Sequence, residues 1–101
     1  MFLAMNRFKI ARGHEQVFLD HWRARTSYLG EAPGFIRFNL LTGPQTGEYT
    51  LFASHTEWES EAAFEAWTHS EAFRKAHANA ARTPREIYLG PPELELFHSV
   101  L

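Results

Sequence analysis

The stretch FIRFNLLTGPQTGEYTLFASH, residues 35–55, decides the fold. Two runs rich in apolar and β-forming residues, 35–42 and 48–55, flank Gly43-Pro44-Gln45-Thr46-Gly47, and they read as two strands joined by a hairpin loop. Pro33-Gly34 just ahead is a turn signal. Further towards the N-terminus, Val17, Phe18, His21, Trp22, Arg25, Tyr28 and Leu29 recur at spacings of three and four. That is the amphipathic helical period and predicts a helix over 13–29, with Gly30 placed to close it. Residues 2–10 are short, apolar and end before Gly13, which predicts a first strand. On the other side of the hairpin, Thr56 and Glu59 have capping-box spacing and predict a helix start near Glu57. Thr68 and Glu71 repeat the spacing and predict a break near Ser70, after which the helical pattern resumes to about Ala81 and stops at Thr83-Pro84. Beyond Pro91-Pro92, residues 94–100 (LELFHSV) read as the last strand.

The order is therefore β-α-β-β-α-β. It predicts an α+β, ferredoxin-like split βαβ sandwich: a four-stranded antiparallel sheet with the helices on one face. At 101 residues, with no linker, repeat or low-complexity tract, the chain reads as a single domain, 1–101. Strand alternation bears on the second face of the sheet. In 35–42, Ile36, Phe38 and Leu40 oppose Phe35, Arg37, Asn39 and Leu41; in 48–55, Tyr49, Leu51 and Ala53 oppose Thr50 and Phe52. Neither strand has the apolar-in, polar-out pattern of a sheet with one wet face. A second copy packed sheet on sheet is the simplest cover, so a homodimer forming a dimeric β-barrel is expected.

Composition removes several function classes. Net charge is −2 and the ten Lys and Arg residues are scattered, so there is no basic stripe to neutralise phosphates and nucleic acid is not an expected partner. Absence of cysteine removes disulfides, thiolate nucleophiles and Cys-ligated metal centres, and fits a cytoplasmic location. No segment is apolar for long enough to cross a membrane, and the N-terminal MFLAMNRFKI is interrupted by Asn6 and Arg7. Aromatic residues reach 15%, which suits a pocket for a large flat ligand or an interface. There is no phosphate loop, zinc helix or nucleophile elbow. The carboxylate pairs Glu57 with Glu59 and Glu93 with Glu95 read as solvated.

Three residues stand out against their surroundings. His77 shares a helical face with Phe73, Ala76 and Ala80, and the small alanines leave room beside an imidazole. A histidine there is ordinarily a core residue donating to a backbone carbonyl. Asn6 shares strand parity with Phe2, Ala4 and Phe8, and a buried amide must be hydrogen-bonded or face a ligand. Trp67 sits just before the expected helix break, where a tryptophan is ordinarily a large core residue. The other histidines carry less: His14 and His69 are expected at the surface, His21 packed beside Trp22, His55 at a strand end and His98 within the last strand. None has a second histidine at i+2 or i+4, so no preformed di-histidine metal site is expected.

Taken together, these residues give the chain a resemblance to the Isd-type haem-degrading monooxygenases of the antibiotic-biosynthesis-monooxygenase superfamily. The likeness runs nearly the whole length: Asn6-Arg7 in the first strand, Gly34-Phe35 opening the second, Trp58-Glu-Ser60 near the end of the third, then Phe64-Glu-Ala-Trp67, Ser70-Glu-Ala-Phe73 and Ala76-His77. The family's catalytic Asn, Trp and His match Asn6, Trp67 and His77. The resemblance implies haem as both substrate and cofactor, O2, and an outside electron donor (a reductase or small reductant), ending in an opened tetrapyrrole and released iron. It implies that His77 is the axial ligand of the haem iron, a neutral imidazole whose other ring nitrogen is held by an acceptor the sequence does not identify. Trp67 would press the macrocycle out of plane and Asn6 would orient the oxygen. Phe8, Phe64, Phe73 and Trp22 would line the cleft, with Arg74 and Lys75 for the propionates and Arg23, Arg25, Arg82 and Arg85 as alternatives. Other readings stay open: a cofactor-independent quinol or polyketide monooxygenase of the same superfamily, a non-catalytic haem-binding protein, or a dimeric binding module.

Overall fold

A computed structural model describes residues 1–24, 28–80 and 85–101, with only the backbone at residues 79 and 80. Strand β1 spans Phe2–Ala11, helix α1 Glu15–Ala24, β2 Phe35–Gln45, β3 Tyr49–Trp58, α2 Glu61–Thr68, α3 Glu71–Ala80 and β4 Glu93–His98. Short 3-10 turns at Leu29–Glu31 and Arg85–Ile87 punctuate the connections. The strands form one antiparallel sheet in the order β2-β3-β1-β4. This is the expected ferredoxin-like arrangement, with β1 in the interior of the sheet.

Side chains of β1 alternate between the two faces. Phe2, Ala4, Phe8 and Ile10 are buried beneath the helices, and their register partners on β3 are Trp58, Thr56, Phe52 and Thr50. The core on this face falls into two clusters. One holds Phe8, Ile10, Phe18, Phe52 and Ile87, with Leu19, Trp22, Leu40 and Tyr88 against it. The other holds Phe2, Trp58 and Trp67, with Phe35, Phe64 and Phe73 among its packed neighbours. Between Phe2 and Phe8 on the same side of β1 lie only Ala4 and Asn6, opposite Thr56 and Ser54. On β1 and β3 a patch of small and polar residues thus lies between the two clusters, flanked by Phe38 and Leu40 on β2 and by Leu94 and Leu96 on β4.

Several expectations need correction. The capping box at Thr56 and Glu59 does not start a helix; Thr56, Glu57 and Trp58 extend β3, and the cap is Ser60, whose Oγ accepts from the Ala63 N–H at 3.1 Å. Pairing of Trp58 with Phe2 and Phe35 keeps the strand running, because burying the indole outweighs a local cap. Helix α1 begins at Glu15 rather than Gly13 and is described to Ala24; Leu29 lies in a separate 3-10 turn, and Arg25 falls outside the described residues. Strand β2 runs on to Gln45, so the hairpin turn is shorter than expected and is closed by Thr46, whose Oγ1 accepts from the Glu48 and Tyr49 N–H groups. A bulge between Phe35 and Arg37 overturns the expected parity: Phe35 joins Phe38 and Leu40 on the helix side and Ile36 is exposed. The expected end of the last helix at 81–84, and with it Arg82, lies outside the described residues.

The outer face of the sheet mixes Leu3, Met5, Leu51 and Ala53 with ion pairs. The Arg7 Nε donates to Glu95, and the Arg37 Nε lies 2.7 Å from Glu57, beside His55. Glu57 and Glu95 are therefore paired partners on a sheet face, not simply solvated carboxylates.

Candidate functional site

The helix break predicted near Ser70 is present, and it organises the site. Thr68 closes α2 by donating its hydroxyl to the Glu65 carbonyl at 2.7 Å. Ser70, not Thr68, caps α3. Its Oγ accepts from the Phe73 N–H at 3.1 Å and donates to the Trp67 carbonyl at 2.6 Å. A Ser cap satisfies an N–H that the first helical turn would otherwise leave without a partner. The break redirects the chain so that α2 and α3 both present aromatic residues to the Phe2–Trp58–Trp67 cluster.

Trp67 is 8% exposed. Its ring packs against Trp58 at 6.2 Å and edge-on to Phe73 at 5.8 Å and 87°. Trp58 is itself fixed by donating Nε1–H to the Thr56 hydroxyl at 3.0 Å. Trp67 is therefore an indole held from two sides.

His77 departs from the expectation of a buried face. Ala76 is the residue that turns inward, at 3% exposed, whereas His77 is exposed. One helical residue step is 100°, so both cannot occupy the centre of the same stripe. The His77 ring lies over Phe73 at 3.9 Å and 31°, and its Nδ1 is 3.0 Å from the Phe73 carbonyl oxygen. A carbonyl can only accept, so Nδ1 is the donor in this contact. The sequence does not identify this acceptor. An i−4 carbonyl is available to any helical histidine, and spacing alone does not select the rotamer that uses it.

Asn6 lies on the helix-facing side of β1, in the patch between the two clusters. Its Oδ1 is buried and makes no hydrogen bond among the described residues. An amide left in this condition costs free energy unless a ligand completes it.

The lining residues divide. Phe64 touches Phe2 at 5.5 Å and Trp58 at 5.9 Å, and with Phe73 it belongs to the Trp67 side. Phe8 and Trp22 belong to the other cluster, where Trp22 stacks on Phe38 at 5.6 Å. Arg23, Arg74, Lys75 and Arg85 are exposed. Among the described residues, no group of three His, Asp or Glu side chains converges on a point that could hold a metal ion.

The structure therefore brings Trp67 and His77 together through the Phe73 ring, and places Asn6 on β1, half-buried with its Oδ1 buried. A heme-degrading monooxygenase of Bacillus thuringiensis is 28% identical over 87 residues, covering 86% of this chain and 80% of that protein. The heme-degrader MhuD of Mycobacterium tuberculosis, solved with two hemes in its active site, superposes with a TM-score of 0.71 at 29% identity, covering 100% of this chain and 97% of MhuD. PA3566 of Pseudomonas aeruginosa shares the fold, with a TM-score of 0.67 at 18% identity over 99% of this chain and 94% of its own. The sequence profile of the antibiotic biosynthesis monooxygenases matches residues 1–79, a span that includes Asn6, Trp67 and His77, and the chain belongs to that family.

Proposed function

We propose that this monooxygenase-family protein degrades haem, and that Asn6, Trp67 and His77 form its working site. The observation that carries the proposal is the geometry at His77: its Nδ1 lies 3.0 Å from the Phe73 carbonyl, the kind of contact by which a ligating histidine is oriented. A cofactor-independent oxygenase has no need of such a ligand. The residues also fit a large flat ligand on a second count. The buried Asn6 Oδ1 lacks a partner, and the amide sits in a patch flanked by two aromatic clusters. Likeness to the two heme-degrading relatives supports the same reading.

Bound haem would supply both the oxygen-activating iron and the ring to be opened. The protein's part is to hold and orient. His77 would present its imidazole from an exposed position on the Phe73 ring. Trp67, braced by Trp58 and Phe73, is a stiff aromatic wall for a macrocycle to meet. Asn6 presents an amide, donor and acceptor together, to the consumed oxygen. Phe64, Phe73 and Trp22 would flank the ligand, and the exposed Arg74 and Lys75, three and two residues before His77, would hold its propionates. Electrons would come from a reductase or a small reductant, and the compartment proposed is the cytoplasm. A second copy of the chain covers the outer sheet face.

Titration with hemin tests the proposal. The expected result is a Soret band that His77→Ala abolishes, followed by its loss with iron release on adding ascorbate in air. Asn6→Ala should keep the band and lower turnover about 100-fold, the scale of losing one oriented hydrogen-bond donor. Absence of any Soret change in the wild type would remove haem and leave the cofactor-independent oxygenase. A band unaffected by ascorbate would leave a haem carrier.

A further inference from the structure

Trp67 and His77 lie on different helices, yet one chain of hydrogen bonds joins them. The Ser70 hydroxyl donates to the Trp67 carbonyl at 2.6 Å, and the Ser70 N–H donates to the same oxygen at 3.0 Å. The same hydroxyl oxygen accepts from the Phe73 N–H at 3.1 Å. Phe73 then accepts at its carbonyl from His77 Nδ1 at 3.0 Å. The Phe73 ring repeats the link sideways, meeting Trp67 at 5.8 Å and His77 at 3.9 Å. Backbone and ring contacts thus run in parallel through the helix break.

We propose that Ser70 is a positioning residue that sets the orientation of Trp67 and the tautomer of His77 together; its value for haem turnover rests on the haem reading above. An ordinary cap would need only the acceptor half of the hydroxyl. Ser60 is such a cap: it accepts from Ala63 N–H at 3.1 Å at the start of α2. Ser70 uses both halves, and its donor half is spent on the residue that carries the indole. Removing the hydroxyl frees the first turn of α3, whose Phe73 peptide holds the imidazole. It also removes the shorter of the two Ser70 bonds to the Trp67 carbonyl, leaving only the Ser70 N–H to hold it. Both functional side chains then lose orientation in one step, although neither is touched directly.

The experiment compares Ser70→Ala, Ser70→Asp, Ser70→Thr and the matched cap control Ser60→Ala, all in the full chain. The His77 tautomer is read from long-range 1H–15N spectra of the ligand-free protein, Trp67 from near-UV circular dichroism, and the site from hemin Kd. Ser70→Ala should replace the Nδ1–H form of His77 by tautomer averaging, weaken the near-UV tryptophan signal and raise the hemin Kd about tenfold, the low end of the effect of removing a group that orients a ligand histidine. Ser60→Ala should change none of these. Ser70→Thr, which keeps donor and acceptor, should restore all three. Ser70→Asp keeps the acceptor only, so it should restore the His77 spectrum and not the tryptophan signal. Identical His77 spectra for Ser70→Ala and Ser60→Ala would overturn the proposal, as would a Ser70→Asp protein with a wild-type tryptophan signal. If Ser70→Ala does not fold, Ser70→Asp decides by that same tryptophan signal. Should the wild type bind no hemin, the haem reading falls while the His77 and Trp67 spectra still decide the role of Ser70.

Discussion

Gly34 has φ +81°, and a Cβ built there would lie 2.5 Å from the Ala63 Cβ. Both facts act against any side chain: the left-handed region strains it, and α2 packs too close to yield. Gly34→Ala should therefore cost about 1–3 kcal/mol in urea unfolding, and a double change with Ala63→Gly should recover only the steric part. Glu15 shows a different residue-level constraint. Its carboxyl is held below the usual carboxylate range, first by the Thr50 hydroxyl, then by its own and the Gly13 N–H groups and Arg12, against partial desolvation. Because the folded-state value is the lower one, the stability this gives is present at neutral pH and is lost as pH falls through that value. Thr50→Val removes the largest contributor. Acid unfolding followed by circular dichroism should move to higher pH in that variant, and the shift should vanish in a Glu15→Gln background. The placement of Asn6 on the helix-facing side of β1 was legible in the sequence, because it shares strand parity with Phe2, Ala4 and Phe8. The His77 tautomer was not, since it depends on a rotamer that spacing leaves free.

At the scale of elements, the break between α2 and α3 was readable from the repeated Thr-to-Glu spacing, but the capping residue was not. Thr68 and Ser70 both stand near the break, and only the direction of the chain decides which hydroxyl faces forward. Thr68 turns back to Glu65, and Ser70 turns forward to Phe73. The false helix start at Thr56 has the same origin. Local capping chemistry was present, and tertiary pairing of Trp58 across the sheet overrode it. Bulges are harder still: the one between Phe35 and Arg37 swaps faces without any glycine at the site.

For the whole molecule, the strand and helix order was enough to give the ferredoxin-like sheet, because few topologies accommodate β-α-β-β-α-β with short connections. The proposed second copy on the outer face is a property of the same scale. Phe97 is 44% exposed and pairs with Leu3 on that face. Phe97→Asp should leave the protomer's melting temperature measured at low concentration unchanged and shift the sedimentation coefficient from dimer to monomer. A wild-type protein that sediments as a monomer at micromolar concentration would dispose of the second copy outright.

The strand order has a consequence for synthesis. Strand β1 emerges from the ribosome before either of its neighbours, and it is the strand that both β3 and β4 must find. Arg7 waits 88 positions for Glu95. At roughly 5–20 residues per second, the first strand spends on the order of 5–20 s without its last partner. During that interval its apolar side, Phe2, Ala4, Phe8 and Ile10, is the surface a nascent-chain chaperone would recognise, and the sheet completes only as β4 arrives.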